Sequence, residues 1–264
     1  MTADAATATY VYCLVRSARA PSMPRGARGL PGAGAVRPVG AGDGLWLLVS
    51  DVPLARYGAA AIEQGLRDLD WVSSCAVGHE GVVERFTTAV ALAPMKLFTI
   101  FDNDARAQAA IRRDRRRLER TLDRVAGRQE WGVRVMLDER RAMARARADA
   151  TRTARGARGA GATFLVQKKA ERDAARRLVV EGRRAMEPVF AELAKQADDA
   201  RQRGPTAAET GTRLLLDAAF LVPARAATRF KRAAARIRTR LARDGHDLTV
   251  TGPWPPYSFV AEQT

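Results

Sequence analysis

Residues Arg213 to Val222 read RLLLDAAFLV; the stripe Phe230, Ala234, Ile237 and Leu241 follows, then DLTVT over Asp247 to Thr251. The first run is apolar, of strand length and closed by Pro223, so it predicts a strand. The stripe returns every three or four residues, as one buried helix face requires. The last piece alternates and predicts a second strand. Upstream, Ala162 to Val166 predicts another strand. A helical pattern then runs through Ala175, Leu178, Gly182, Met186, Val189 and Leu193, bent or divided at Pro188 and stopped by Gly204 and Pro205. Strands and helices therefore interleave over residues 161–264. The natural layer solution for elements of these lengths is a ferredoxin-like domain, an antiparallel sheet covered by helices.

Working outward, Asp138 to Gly161 strings together Arg, Ala and Gly with Met143 as its one large apolar residue. Such a stretch cannot offset its ordering entropy by burial. Residues 139–160 are thus expected to be a flexible linker between two domains, 1–138 and 161–264. The first half predicts strands at Tyr10–Val15 and Leu45–Ser50, separated by a glycine- and proline-rich segment over residues 20–44 that is expected to be irregular. Ile62, Leu66, Leu69, Trp71, Cys75, Val82, Val83 and Phe86 then mark the buried face of one long helix, or of two broken near Gly78. Val90 to Phe101 reads as a strand interrupted at Pro94. Asp102 or Asp104 can cap a helix whose apolar positions are Ile111, Leu118, Leu122 and Val125, and which Gly127 stops. Trp131 to Leu137 reads as a strand. The fold class is α+β in both domains.

The 264 residues carry 45 basic and 29 acidic side chains, a net charge of +16. This charge is uneven, and it peaks over residues 105–160. The basic residues are mostly arginine in an alanine-rich chain, a bias expected of a G+C-rich genome. No apolar run approaches the roughly 20 residues of a membrane span, and MTADAATATY lacks the blocks of a signal peptide, so a cytoplasmic location is expected. Cys13 and Cys75 are too few for a disulfide framework or a CxxC site and read as reduced, packed thiols.

Few residues suggest catalysis. His79 and His246 stand in neither HxH nor HExxH spacing, and His79 reads as a hydrogen-bonded histidine beside an apolar helix face. Asp102 and Asp104 lack the later acidic residue of an EF-hand loop. Gly32, Gly34, Gly40 and Gly42 make GxG pieces without a phosphate-binding loop, and Ser50 lacks the GxSxG elbow. No catalytic residue, cofactor or metal is expected. Arg112, Arg113, Arg115, Arg116, Arg117, Arg120 and Arg124, continued by Arg140 to Arg158, keep a nucleic-acid-binding protein as the alternative. Aromatic residues do not interleave with these arginines as stacking platforms.

The segment Thr251 to Val260, TGPWPPYSFV, sets Trp254 and Tyr257 on a backbone stiffened by Pro253, Pro255 and Pro256. It resembles the C-terminal signature of the gas vesicle GvpF/GvpL family. YVYCLV (from Tyr10), LVSDVP (from Leu48), HEGVVE (from His79), APMKLFTIF (from Ala93), EWGVRV (from Glu130), GATFLVQKK (from Gly161) and DAAFLV (from Asp217) are similar to that family's segments in the same order. Two departures stand out: Lys96, Leu97 and Phe98 replace an Arg-Phe-Gly run, and Pro223 replaces an acidic residue. The resemblance implies an N-terminal α+β domain and a C-terminal ferredoxin-like one. It also implies an accessory or minor structural protein of the gas vesicle, cytoplasmic and vesicle-associated. Its implied partners are the hydrophobic major shell protein and other accessory proteins, with self-association among the options. Phe98, Phe101, Trp254, Tyr257 and Phe259 are the candidate fold or partner-contact residues, with Trp254 and Phe259 expected to pack into the second domain.

Overall fold

The computed structural model describes residues 6–23, 29–138, 140, 182–204, 212–243 and 245–260. The chain divides into two compact units, residues 1–129 with 253–264, and residues 130–252.

The first unit is built on an antiparallel sheet of β1 (Thr7–Arg16), β2 (Arg37–Gly42), β3 (Leu45–Pro53) and β4 (Ala91–Pro94) in the order β2-β3-β1-β4, with β5 (Ile100–Phe101) also paired to β1. Both sheet faces are covered, which is why β1 and β3 read as nearly unbroken apolar runs. On one face Tyr10, Tyr12, Leu48 and Val52 share a core with Cys75, Val82 and Val83; on the other Val11, Leu14, Leu47 and Val49 pack with Ala107, Ile111 and Leu122. A bulge between Val11 and Cys13 shifts the register, so Tyr12 and Cys13 both serve the first core.

Helices α1 (Leu54–Tyr57), α2 (Ala59–Gly65) and α3 (Leu69–Val83) follow β3. The Asp68 side chain accepts from the Asp70 and Trp71 amides and starts α3. The break between α2 and α3 therefore lies at residues 66–68, and α3 runs through Gly78 unbroken. Glycine is needed there for close approach, because a Cβ at Gly78 would lie 2.6 Å from the Gly29 carbonyl oxygen. The segment expected to be irregular between β1 and β3 contains β2, and it buries Leu30, Val36 and Ala41. Helices α4 (Asp104–Arg113) and α5 (Arg115–Val125) cover the second face. Asn103, not Asp102 or Asp104, caps α4 by accepting from the Arg106 amide at 3.0 Å; Asp104 is instead engaged by Arg37 and Thr9. Gly127, at φ 65°, follows α5 as expected.

The second unit orders its four strands β7-β8-β6-β9, from β6 (Arg128–Asp138), β7 (Asp199–Gln202), β8 (Thr212–Pro223) and β9 (His246–Trp254). Helices α6 (Glu187–Ala194) and α7 (Ala227–Ala242) bury Val189, Leu193, Phe230, Ala234 and Ile237 against Val133, Val135, Phe220 and Val222. Pro188 sits in the first turn of α6, where a missing amide costs nothing. β6 and β8 also place Glu130, Arg134 and Asp217 among charged partners. Arg203 pairs with Glu130 at 2.6 Å and with Asp217 at 3.4 Å, and Arg134 pairs with Asp217 at 3.0 Å.

The two compact units differ from the domains read from the sequence in two places. Trp131–Leu137 was assigned to the N-terminal domain, yet β6 is an interior strand of the second sheet, with Val133 and Val135 fully buried in its core. The composition break after Asp138 does not mark the unit boundary, because sheet neighbours are chosen by burial pattern regardless of chain proximity. Residues 253–264 belong to the first unit and not to the C-terminal domain. Of the expected linker only Arg140 lies among the described residues, and the expected strand Ala162–Val166 lies outside them.

Candidate functional site

Under α3, a set of buried hydroxyl and imidazole groups ties the helix to β1. The Tyr10 hydroxyl meets His79 Nδ1 at 2.7 Å, and the Tyr12 hydroxyl meets Ser50 Oγ at 2.8 Å while accepting from the Leu30 amide at 3.0 Å. Burial pushes the His79 pKa down to about 4, so the ring is neutral near pH 7. The Phe98 amide also donates to the Tyr10 hydroxyl, at 3.4 Å. Burial raises the pKa of Tyr10, Tyr12 and Tyr57, and of both cysteine thiols, so these groups stay protonated. These buried, neutral groups join β1 to α3 and β3. Among the described residues no group of three or more His, Cys, Asp or Glu is placed to hold a metal ion.

The five residues singled out in the sequence are not brought together. Phe98, at φ 64°, stacks its ring on Trp71 with centroids 5.2 Å apart, and belongs to the α3-side core. Phe101 sits in β5 against the opposite core. Tyr257 and Phe259 lie on α8 (Tyr257–Val260), where Tyr257 packs on the α3-side core and donates its hydroxyl proton to Glu80 Oε2. Phe259 is fully buried, and its carbonyl accepts from the Arg124 guanidinium. Trp254, by contrast, is 40% exposed at the end of β9. The expectation that Trp254 and Phe259 pack into the second domain is therefore corrected: Phe259 completes the first unit, and the prolines hold Trp254 toward solvent.

The arginines of α4 and α5 divide by role. Arg115 bridges Asp43 and Glu119 at 2.5 and 2.9 Å, Arg117 pairs with Asp114 at 2.9 Å, and Arg124 holds Phe259, while Arg112, Arg116 and Arg120 are exposed. A solvated helix face that also pins loops accounts for the cluster.

The feature missed in the sequence is a set of exposed apolar side chains. Among the described residues the exposed large hydrophobics are Leu54, Leu66, Leu69, Val77, Val90 and Trp254, and the first four fall on or between α1, α2 and α3. Leu69 is 80% exposed and Val77 70%. On α3 they stand about 80° apart around the axis, turned away from Cys75, His79, Val82 and Val83. Leu66 and Leu69, taken from their spacing as buried, are exposed because Asp68 restarts the helix and shifts the phase. The Asp68 capping position was the signal that could have found this. A groove of ≈ 570 Å³ on the same helices is lined by Ala55, Arg56, Ala61, Gln64, Gly65, Arg67, Asp68 and Trp71, so half of its lining is polar or charged. Residues 54–83 hold two basic and four acidic side chains in a chain of net charge +16, so this surface stands apart electrostatically.

The family described as "Gas vesicle synthesis protein GvpL/GvpF" matches residues 8–261. The chain is 28% identical over 267 residues to gas vesicle protein L of Streptomyces sp. (strain CB03234), covering 96% of this chain and 94% of that protein. It is 31% identical over 267 residues to gas vesicle protein L2 of Halobacterium salinarum, covering 96% and 91%. The fold is that of gas vesicle protein GvpF from Anabaena sp. PCC7120, with TM-score 0.71 at 18% identity over 98% of this chain and 100% of that one. The chain belongs to the GvpL/GvpF family of gas vesicle proteins. Among the described residues no helix is long and apolar enough to cross a membrane.

Proposed function

We propose that this protein is a non-catalytic accessory or minor structural component that binds the hydrophobic major shell protein, and other accessory proteins, during gas vesicle assembly in the cytoplasm. The observation that carries this reading is the exposed, weakly charged apolar surface on α1–α3, in a protein of the gas vesicle family. A shell subunit that shows apolar surface before polymerising would aggregate, and a soluble partner with a matching apolar face keeps it in solution. Trp254, the aromatic residue among the exposed large hydrophobics, is the second contact in this reading, while Phe98, Phe101, Tyr257 and Phe259 serve the fold. We also infer a ferredoxin-like architecture for the second unit. Its described elements follow strand, helix, strand, strand, helix, strand, and the order β7-β8-β6-β9 supports that arrangement.

The test is capture of purified shell protein, and separately of duplex DNA, by wild type and by a Leu66→Asp/Leu69→Asp variant at low and high salt. Both leucines are exposed, so the variant should keep its circular dichroism and melting point. Wild type should hold the shell protein at both salts, because apolar association resists salt whereas phosphate contacts do not. The variant should lose at least about tenfold of that capture, the cost of roughly 1.4 kcal/mol of apolar contact. Unchanged capture by the variant would reject this surface. DNA binding that persists at physiological salt, with no shell-protein capture, would overturn the whole reading in favour of nucleic acid.

A further inference from the structure

The first unit is finished by a piece of chain that reaches it only after the whole second unit has been made: the chain leaves at Gln129 and returns at Pro253. That piece is braced internally. Inside it the Tyr257 amide bonds the Pro255 carbonyl at 2.8 Å and the Phe259 amide bonds the Pro256 carbonyl at 3.0 Å, on a backbone already restricted by three prolines. It seats against α3, α5 and β4 through a few side chains. Phe259 is fully buried, Val260 packs on the α5-side core, Tyr257 packs on the α3-side core and bonds Glu80, and Arg124 holds the Phe259 carbonyl. Immediately before it lies Gly252 at φ 116°, a conformation that residues with a Cβ rarely adopt and a natural pivot.

We propose that residues 253–260 form an exchangeable plug, and that the seat on the first unit also takes the plug of a second copy of this chain. Every contact the seat makes with its own plug is available, unchanged, to another copy's, so exchange requires no new interface. The partner copy then supplies Tyr257 and Phe259 to a core that is incomplete without them. A tethered plug competes at an effective concentration in the millimolar range, so exchange is minor at micromolar protein and grows where copies are crowded.

The test mixes two full-length variants of different mass, Glu80→Cys on one and Tyr257→Cys on the other, with a bismaleimide able to span a tyrosine and a carboxylate side chain. The native Cys13 and Cys75 are buried, so wild type is the blank. Phe259 remains to seat the plug in both. Covalent dimer containing one copy of each variant should rise at least about tenfold between about 10 µM and about 1 mM protein. Adding Phe259→Ala to the Tyr257→Cys copy should abolish it. Mixed dimer that forms equally well with Phe259→Ala would mean collision and not plug exchange, and would overturn the proposal. So would the absence of mixed dimer at every concentration while a single chain carrying both cysteines links within itself. If neither pairing links, the light-scattering mass of wild type over the same range decides: growing dimer supports exchange, and monomer throughout rejects it.

Discussion

Replacing Phe259 by alanine should destabilise the first unit by about 3–5 kcal/mol, while the same change at Trp254 should cost about 1 kcal/mol or less. The Phe259 ring is 0% exposed on a helix packed against α5 and β4, so its loss removes the transfer energy of a whole ring and leaves a cavity. Trp254 is 40% exposed, and substitutions at surface positions usually stay near half a kcal/mol. For a unit of this size each kcal/mol moves the melting point by about 2–4 °C, so Phe259→Ala should lower it by about 6–20 °C. Scanning calorimetry gives the shift. Hydrogen exchange assigns it: β1 and α3 amides should lose protection in Phe259→Ala, and β8 amides should not. Trp254→Ala proving the costlier change, or Phe259→Ala leaving the transition in place, would refute the assignment of the plug to the first unit.

Acid should weaken the first unit through His79. The unfolded chain protonates this imidazole below about pH 6.5 while the native state keeps it neutral down to about 4, so the unfolded state binds the extra proton and stability falls through that window, by about 3 kcal/mol in full. Denaturant titrations at pH 7 and 4.5 should show His79→Gln losing about 2–3 kcal/mol less than wild type; equal losses would mean that His79 titrates normally. Gly78→Ala should destabilise by about 1 kcal/mol or more despite the better helix propensity of alanine, because the new Cβ meets the Gly29 backbone at 2.6 Å; a gain in melting temperature would contradict this packing. Arg203→Met leaves Glu130 and Asp217 nearly buried with one charge partner fewer, and should cost the second unit about 3–5 kcal/mol by chemical unfolding at pH 7. A change within half a kcal/mol would show that other groups neutralise the pair.

Elements defined by their own side chains were legible. The apolar run around Phe220 and the stripe through Ile237 specify β8 and α7 with no knowledge of their partners. Elements defined by their neighbours were not. β2, reading RPVGAG, looks like loop because its glycines and proline are punctuation in isolation, and it becomes a strand through pairing with β3. β7, reading DARQ, is three polar residues and one alanine that acquire strand geometry from β8. The bulge in β1 left no trace, since both faces are buried and no alternation exists to be interrupted. As for the candidate residues, the rarity of PWPPYSF marked the segment correctly, but which core receives Phe259 depends on contacts across more than a hundred residues. The exposure of Leu66 and Leu69 turned on a single capping side chain, Asp68.

The interrupted layout of the first unit sets a clock on its synthesis. A ribosome that has released Gln129 must still make more than a hundred residues before Tyr257 and Phe259 exist, which takes on the order of ten seconds at about 5–20 residues per second. Throughout that interval the nascent sheet carries a gap where the Phe259 ring belongs, open to whatever apolar surface is nearby. Meanwhile β6 waits for β8 and β9 before its own core can close. Both units thus close only once residues 246–260 have been made, so the order of translation, as well as the final packing, governs when this protein becomes competent to meet a partner.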